Sequence, residues 1–190
     1  MFLYSGETAR FQSLGQPLTG VQNNPYINRI DYRNGQIHIT WVYRGFVWYE
    51  GWDDPRDIKH KTHSGPNGIG NNYDLCYVFS DDRGGSWKNQ LGETIASISK
   101  GESVTPDAKG IVAVKIPKES GLSNQDGQTV DYNDGVHALN RDTSDGKLRY
   151  KHHYKAPEGP SNVRANNYNA KRRRRHLEKF LSIGLYRCSS

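Results

Sequence analysis

Residues 80–87, Ser80-Asp81-Asp82-Arg83-Gly84-Gly85-Ser86-Trp87, give the clearest structural signal in the sequence. This stretch follows Leu75-Cys76-Tyr77-Val78-Phe79, a nearly continuous apolar run typical of a strand that is covered on both faces. The carboxylate of Asp82 can accept hydrogen bonds from backbone N–H groups of its own turn, and Gly84 supplies a residue with positive φ. Trp87 then carries an apolar ring into the next strand. The stretch therefore predicts a tight hairpin between two strands.

Strand patterns extend in both directions from this hairpin. Asn34-Gly35 is a strong hairpin signal, because a type I′ turn needs positive φ at both central residues. Alternating or continuous apolar residues, bounded by turn residues, mark strands. They predict strands at 27–32, 37–43, 75–79, 111–116, 129–132, 136–139 and 148–154.

Two of the hairpins belong to an internal repeat. Residues 31–38, DYRNGQIH, match residues 131–137, DYNDGVH, with one residue fewer in the second copy. A four-stranded propeller blade takes about 40–50 residues, so an offset of about one hundred residues fits two blades, or one blade and an insertion. In such an architecture each unit buries its face against a neighbouring unit.

Composition excludes several classes of protein. No window holds about 18 consecutive apolar residues, so the sequence predicts no membrane-spanning helix. The start Met1-Phe2-Leu3-Tyr4 lacks the basic residues and the long apolar run of a signal peptide. The two cysteines, Cys76 and Cys188, are too few for a disulfide framework or a zinc knuckle.

The net charge of +6 comes from one segment at the C-terminal end of the sequence. Residues 171–190 hold the whole excess, whereas positive and negative residues balance over 1–170. A nucleic-acid-binding domain usually carries basic charge on its folded surface, so we expect 171–175 to be a solvated run and not a nucleic-acid site. Nucleic-acid binding by this arginine-rich tail is the weakest alternative.

The stretch from Ser80 to Trp87 resembles the Asp-box of BNR repeats, which occur in sialidase-like β-propellers. In that family the box is a structural hairpin, so the resemblance assigns Ser80, Asp82, Gly84 and Trp87 to the fold and not to catalysis. Further segments resemble a branch that includes polysaccharide lyases acting on uronate-containing glycans, among them rhamnose–glucuronate lyases. These segments are 39–44, 71–77, 116–117, 124–125, 127–131 and 135–137, and the likeness spans residues 10–156.

The resemblance implies an all-β fold, a partial β-propeller of about two to three four-stranded blades over residues 1–159. Full members have about seven blades, so the chain resembles a truncated member. Residues 160–190 are expected to form a basic tail that is irregular or holds a short helix. A polysaccharide-degrading parent implies secretion, but the chain carries no signal peptide, and the localisation stays open.

Lyase chemistry directs attention to particular side chains. β-Elimination from a uronate needs a base for the C5 proton, a proton donor for the leaving oxygen and a cation that neutralises the carboxylate. We expect His137 near the central cleft by resemblance, Arg44 as the neutralising cation and Tyr73 as the proton donor. Arg44 can instead form an ion pair with Glu50 or Asp53, which would make its role structural.

The segment 41–74 concentrates residues suited to binding a glycan, because sugar rings stack on flat aromatic faces. The same aromatic residues can instead fill space under a long connection. Two loop histidines have no third ligand nearby, so no metal and no cofactor is predicted. The candidate substrate-binding residues are Trp48, Tyr49, Trp52, His60, His63, Asn71 and Asn72.

The sequence therefore predicts a carbohydrate-active protein whose partner is a polysaccharide substrate or a glycan ligand. Its leading activity is lyase-type cleavage of a uronate-containing glycan, with an incomplete site in this chain. The alternatives are a non-catalytic glycan- or protein-binding propeller module and a sialidase-type glycoside hydrolase.

Overall fold

The computed structural model describes residues 1–57 and 68–157, and the backbone of residues 164–168. The candidate residues His60 and His63 lie outside these ranges, as does most of the predicted tail with its predicted helix. The strands are β1 (Phe2–Ser5), β2 (Arg10–Ser13), β3 (Asn23–Arg33), β4 (Gln36–Gly45), β5 (Asn72–Ser80), β6 (Ser86–Lys88), β7 (Thr94–Ser97), β8 (Val112–Val114), β9 (Gly127–Val130), β10 (Val136–Asp142), β11 (Arg149–Lys155) and β12 (Arg164–Tyr168).

The strands form three antiparallel sheets, and the described residues contain two 3₁₀ turns, Ile69–Asn71 and Ile98–Lys100, but no α-helix. The first sheet has the order β3-β4-β5-β6-β7, with β8 paired to β5. The second sheet has the order β12-β11-β10-β9, and β1 and β2 form a separate hairpin. The prediction of an all-β fold is confirmed.

Strand β4 is an interior strand of the first sheet. Asn34 and Gly35 have φ of 48° and 84°, as the predicted turn requires, and they join β3 to β4. β4 pairs with β3 on one side and β5 on the other, and neighbouring side chains on a strand point to opposite faces. Its outer-face residues are Ile39, Trp41, Tyr43 and Gly45, and its inner-face residues are His38, Thr40, Val42 and Arg44, all of them buried.

Segments from outside the sheet cover the outer face. Leu18, Val104 and Ile111 pack there against Trp41 and the neighbouring side chains. Cys76 on β5 lies in the same cluster as a buried free thiol. Burial raises the pKa of this thiol above its usual range, with the nearby carboxylate of Asp74 acting in the same direction.

The turn between β5 and β6 is organised by the carboxylate of Asp82. Its Oδ1 accepts hydrogen bonds from Ser80 Oγ at 2.7 Å and from the backbone N–H of Ser86 at 2.8 Å, and its Oδ2 accepts one from Ser86 Oγ at 2.7 Å. Gly84 has φ of 90°, and its N–H donates to Ser80 Oγ at 2.8 Å. Trp87 is fully buried in the outer-face cluster.

The second sheet repeats the meander of the first. β9, β10 and β11 are joined in sequence, and β12 pairs with β11. The backbone of 164–168 adds a strand to this sheet, within the segment 160–190 that the sequence predicted to be irregular or to hold a short helix. Pairing with the edge of β11 makes this segment a strand. The division at residue 159 stays a prediction.

The inner faces of the two sheets pack against each other. Val42 and Leu75 of the first sheet share a cluster with Ala138 of the second. Hydrogen bonds also cross between the sheets: Asn34 Nδ2 donates to Asp134 Oδ1 at 2.7 Å, and Gln128 Nε2 donates to the carbonyl of His38 at 3.1 Å. Two antiparallel meanders packed face to face are consistent with neighbouring blades of a partial propeller.

The strand connections define two ends of this pair of sheets. The turn end carries the turn at Asn34 and Gly35, the turn 81–85 and the connection 131–135. The loop end carries the long connection between β4 and β5, over 46–71. Because a strand rises about 3.3 Å per residue, the ten residues of β4 separate the two ends by about 30 Å.

The hairpin of β1 and β2 leaves apolar side chains exposed. Phe2, Tyr4 and Phe11 are all largely accessible, although the rings of Tyr4 and Phe11 lie 5.1 Å apart. Met1 reaches the turn end and packs beside Gly84. Among the described residues, no helix has the length and apolar character needed to cross a membrane.

Two histidines are buried on the inner faces of the sheets. His38 on β4 contacts the hydroxyl of Tyr77 through Nδ1 at 2.9 Å, and His153 on β11 is equally inaccessible to solvent. Burial lowers the pKa of His38 to about 4, although Asp134 opposes this shift and Lys155 adds to it. Burial also lowers the pKa of His153 to about 4, opposed by Asp142.

Lowering the pH is expected to destabilise the packing of the two sheets. The unfolded chain takes up protons on His38 and His153 below about pH 6.5, but the folded chain does so only near pH 4. Their contribution is therefore fully present above pH 6.5 and is lost as the pH falls towards 4, by up to about 3 kcal/mol for each residue. Urea unfolding at several pH values in this window measures the loss. The variant His38→Gln/His153→Gln should show a flatter pH profile, and a parent midpoint that does not move would contradict the expectation.

Replacing Asp82 is expected to weaken the turn between β5 and β6. Asp82→Ala leaves two serine hydroxyls and a backbone N–H without their acceptor, so it should cost about 2–3 kcal/mol of unfolding free energy. The matched control is Asp81→Ala, which removes only an ion pair with Lys88 at the surface and should cost less than about 1 kcal/mol. Equal losses in the two variants would show that the turn does not depend on Asp82.

Candidate functional site

An aromatic cluster forms the surface of the loop end. The ring of Trp52 lies 5.8 Å from Phe46 and 5.5 Å from Tyr49, the latter edge to face. Trp48, which precedes Tyr49 in the same loop, is 71% exposed. The structure thus brings together two of the three predicted aromatic candidates, Tyr49 and Trp52, and adds Phe46.

The loop that carries the cluster is anchored to the fold where it leaves β4, and it has internal contacts of its own. The backbone N–H of Phe46 donates to the carbonyl of Gln22 at 2.9 Å, which fixes the loop to the start of β3. Gly51 has φ of 91°, a conformation that suits glycine, and the hydroxyl of Tyr49 reaches Asp57 at 3.5 Å. The aromatic rings are therefore held by backbone contacts as well as by one another.

Arg44 and Asn72 are paired in the interior below the loop. Arg44 Nε donates to Asn72 Oδ1 at 2.9 Å, and Asn72 Nδ2 donates to the carbonyl of Leu122 at 2.7 Å. The guanidinium of Arg44 also lies over the ring of Tyr26, 4.5 Å from its centroid. Asn72 is fully buried, so a sugar hydroxyl cannot reach it in this conformation. Arg44 forms this pair and no ion pair with Glu50 or Asp53 appears among the described residues.

Tyr73 lies at the same end but on the other face of the sheet. Its ring packs against Tyr43 with a centroid distance of 6.0 Å, and its hydroxyl accepts a hydrogen bond from Asn23 Nδ2 at 2.7 Å. The ammonium of Lys118 stands 5.4 Å from the centroid of the ring. Burial raises the pKa of Tyr73 above its usual range, so at neutral pH the hydroxyl keeps its proton and can donate it.

Lys118 was not predicted from the sequence and completes this corner. Its exposed side chain passes so close to Gly45 that a Cβ there would meet Nζ at 2.6 Å. Gly45 ends β4, and the aromatic loop follows it directly. A cation therefore lies between Tyr73 and the start of the aromatic loop.

His137 lies near the turn end, on the outer face of the second sheet. Its Nε2 contacts Asp131 Oδ2 at 3.0 Å, and its Nδ1 contacts Nε2 of His152 at 2.8 Å. The ring of Tyr154 packs against it, with centroids 4.9 Å apart. Both nitrogens of His137 are thus engaged, so neither is available as a base unless one of these contacts opens.

The three residues predicted for catalysis are not brought together. Arg44 faces the second sheet, Tyr73 faces the opposite side of the first sheet, and His137 lies on the outer face of the second sheet at the turn end. Asn71 is partly buried in the 3₁₀ turn at the loop end, with its N–H bonded to the carbonyl of Gly68. Within residues 1–57 and 68–157, no group of three or more His, Cys, Asp or Glu side chains is arranged to hold a metal ion.

A protein-family comparison adds an independent observation. The model for BNR repeat-containing family members matches residues 1–167. The chain belongs to this family. The resemblance drawn from the Asp-box stretch is thereby confirmed.

Comparisons of this BNR-repeat chain with curated proteins and with solved structures give less specific results. No curated protein matches its sequence. A solved structure that resembles its fold is that of polysaccharide lyase Uly1, with a TM-score of 0.46 and 17% sequence identity. The match covers 87% of this chain and 34% of that chain, so the present chain spans about a third of that protein's length.

The buried pair of Arg44 and Asn72 predicts an effect on stability. Asn72→Ala leaves the Arg44 Nε–H and the Leu122 carbonyl without partners, which should cost about 2–3 kcal/mol of unfolding free energy. The matched control is Asn24→Ala, at an exposed position opposite Arg44 on β3, with a change of less than about 0.5 kcal/mol. Unfolding in urea measures both. An Asn72→Ala chain of parental stability that no longer binds glycan would instead support the predicted role in binding.

Proposed function

We propose that this BNR-repeat chain binds a uronate-containing glycan at its loop end, as part of a carbohydrate-active protein. The observation that carries the proposal is the exposed ring of Trp48 in the same loop as the cluster of Phe46, Tyr49 and Trp52. A sugar ring presents C–H groups on its flat faces, and an exposed indole offers a matching apolar surface.

The loop supports binding because it is organised before a ligand arrives. Contacts among Phe46, Tyr49 and Trp52 restrict their rotamers, and the hydrogen bond to Gln22 fixes where the loop leaves the sheet. Ordering a side chain on binding costs about 0.5–1.5 kcal/mol, so a preformed cluster reduces that cost.

Charge supports an anionic sugar as the ligand. Lys118 is exposed and lies against Gly45 and Tyr73, next to the aromatic loop. An ammonium there can pair with the carboxylate of a uronate, and the protonated hydroxyl of Tyr73 can donate a hydrogen bond to the same sugar.

The arrangement supports binding better than it supports cleavage through the predicted catalytic residues. Arg44 is committed to Asn72 in the interior, and His137 lies towards the turn end, on the outer face of the second sheet. A sialidase-type hydrolase would need several arginines around one sugar carboxylate. Arg44 and Arg141, which lie in strands of the two packed sheets, are on different sheets and not around one pocket.

Removing the exposed indole tests the proposal. Trp48→Ala should weaken binding to a glucuronate-rich polysaccharide about ten-fold, because aromatic contacts contribute about 0.5–1.5 kcal/mol beyond the burial of their area. The matched control is Tyr132→Ala, which removes an equally exposed aromatic ring at the turn end and should leave binding unchanged. Calorimetric titration measures both variants. Equal losses, or a parent chain that binds no acidic polysaccharide, would reject the proposal.

The same samples separate binding from turnover. Release of a product that absorbs at the edge of the ultraviolet indicates elimination, and new reducing ends without that absorbance indicate hydrolysis. We expect binding with neither product. If the unsaturated product forms, the variant His60→Gln/His63→Gln tests whether the base comes from the same connection between β4 and β5.

A further inference from the structure

The strongest unassigned feature is a row of three polar side chains on the outer face of the second sheet, at the turn end. Asp131 precedes β10, His137 lies near its start, and His152 lies on β11. They form a continuous hydrogen-bonded chain, from Asp131 Oδ2 to His137 Nε2 at 3.0 Å and from His137 Nδ1 to His152 Nε2 at 2.8 Å.

The hairpin connection holds Asp131 in place. Its Oδ1 accepts hydrogen bonds from the backbone N–H groups of Asn133 and Gly135, both at 2.8 Å. This leaves Oδ2 directed at His137. Although burial acts to raise the pKa of Asp131, the hydrogen bonds from His137, Gly135 and Asn133 lower it, so the carboxylate is ionised at neutral pH.

The ionised carboxylate determines where His137 carries its proton. A carboxylate only accepts hydrogen bonds, so Nε2 of His137 must be the protonated nitrogen. In the neutral ring Nδ1 then carries a lone pair, and it points at Nε2 of His152. The ring planes differ by 8° and the centroids are 5.1 Å apart, so with 2.8 Å between nitrogens the rings meet edge to edge.

We propose that His137 Nδ1 and His152 Nε2 together bind a divalent transition-metal ion, such as Zn²⁺ or Cu²⁺, with Asp131 orienting His137 and water completing the coordination. Imidazole nitrogens favour these ions over Ca²⁺ and Mg²⁺. A ligating histidine commonly donates its other N–H to a carboxylate, and Asp131 is placed to accept it.

Binding requires the two nitrogens to separate slightly and each ring to turn until its lone pair points at the ion. Two imidazole nitrogens bound to Zn²⁺ at about 2.0–2.1 Å in tetrahedral geometry lie roughly 3.3 Å apart, against the present 2.8 Å. The ion takes the place of the proton shared between the rings, and His152 then holds its proton on Nδ1 and stays neutral. Because His137 is 22% exposed, solvent and an ion can reach the pair.

Titrating the full chain, without a histidine tag, with Zn²⁺ tests the site. We expect one equivalent of Zn²⁺ to bind, no uptake of Ca²⁺, and loss of Zn²⁺ binding in His137→Gln and in His152→Gln. Asp131→Asn should weaken binding about ten-fold, because it removes the carboxylate that orients the ligand. The variant His60→Gln/His63→Gln is the matched control and should bind as the parent does.

If a variant fails to fold, a spectrum of the parent chain with bound metal still tests the proposed coordination. The electron paramagnetic resonance spectrum of the Cu²⁺ form should show coupling to two equatorial imidazole nitrogens. A parent that takes up no Zn²⁺ or Cu²⁺, or a folded His137→Gln/His152→Gln variant that binds either ion as the parent does, would overturn the proposal. Neither result bears on glycan binding at the loop end.

Discussion

Strand β4 is paired along both edges and buried on both faces, and the positions of the candidate side chains depend on this constraint. Because successive residues point to opposite faces, each side chain of β4 is committed to one of two interiors. Tyr43 therefore packs with Tyr73 on the outer face, whereas Arg44, its neighbour in sequence, turns towards the second sheet. Because the side chains of β4 from His38 to Gly45 are buried, a ligand can make contact only with the loop that follows this strand.

The two ends of the sheets are built differently, and this difference suits different roles. At the turn end, short connections are closed by their own side chains, as Asp82 and Asp131 close theirs. A hydrogen bond from Asn34 to Asp134 then joins two of these connections. At the loop end, a long connection presents aromatic rings from a fixed base. Rigid strands with a long loop at one end are a common way to position binding residues.

Much of the fold could be predicted from local patterns. The turn at Asn34 and Gly35 and the turn after Ser80 depend on residues within a few positions of each other, so the local sequence is enough to predict both turns. The strand β12 was not predicted, because its pairing with β11 depends on an open backbone edge, which composition does not reveal. The face and the end on which a residue lies depend on register and connectivity.

The candidate site shows the same division between local and distant information. The aromatic cluster was predictable, because its members follow one another in a single loop. The burial of Asn72 was not predictable, because its partners Arg44 and Leu122 are distant in sequence. Lys118 and His152 were missed for the same reason, although the spacing of Asp131 and His137 across one hairpin was a usable signal.

The thiol of Cys76 has a consequence that extends beyond packing. It is fully buried on β5, the strand that joins β4 to the rest of the first sheet, and burial raises its pKa so that the reactive thiolate is suppressed. An alkylating reagent can modify it only when the sheet opens. The rate at which Cys76 is alkylated, measured by mass spectrometry, therefore reports how often the first sheet opens.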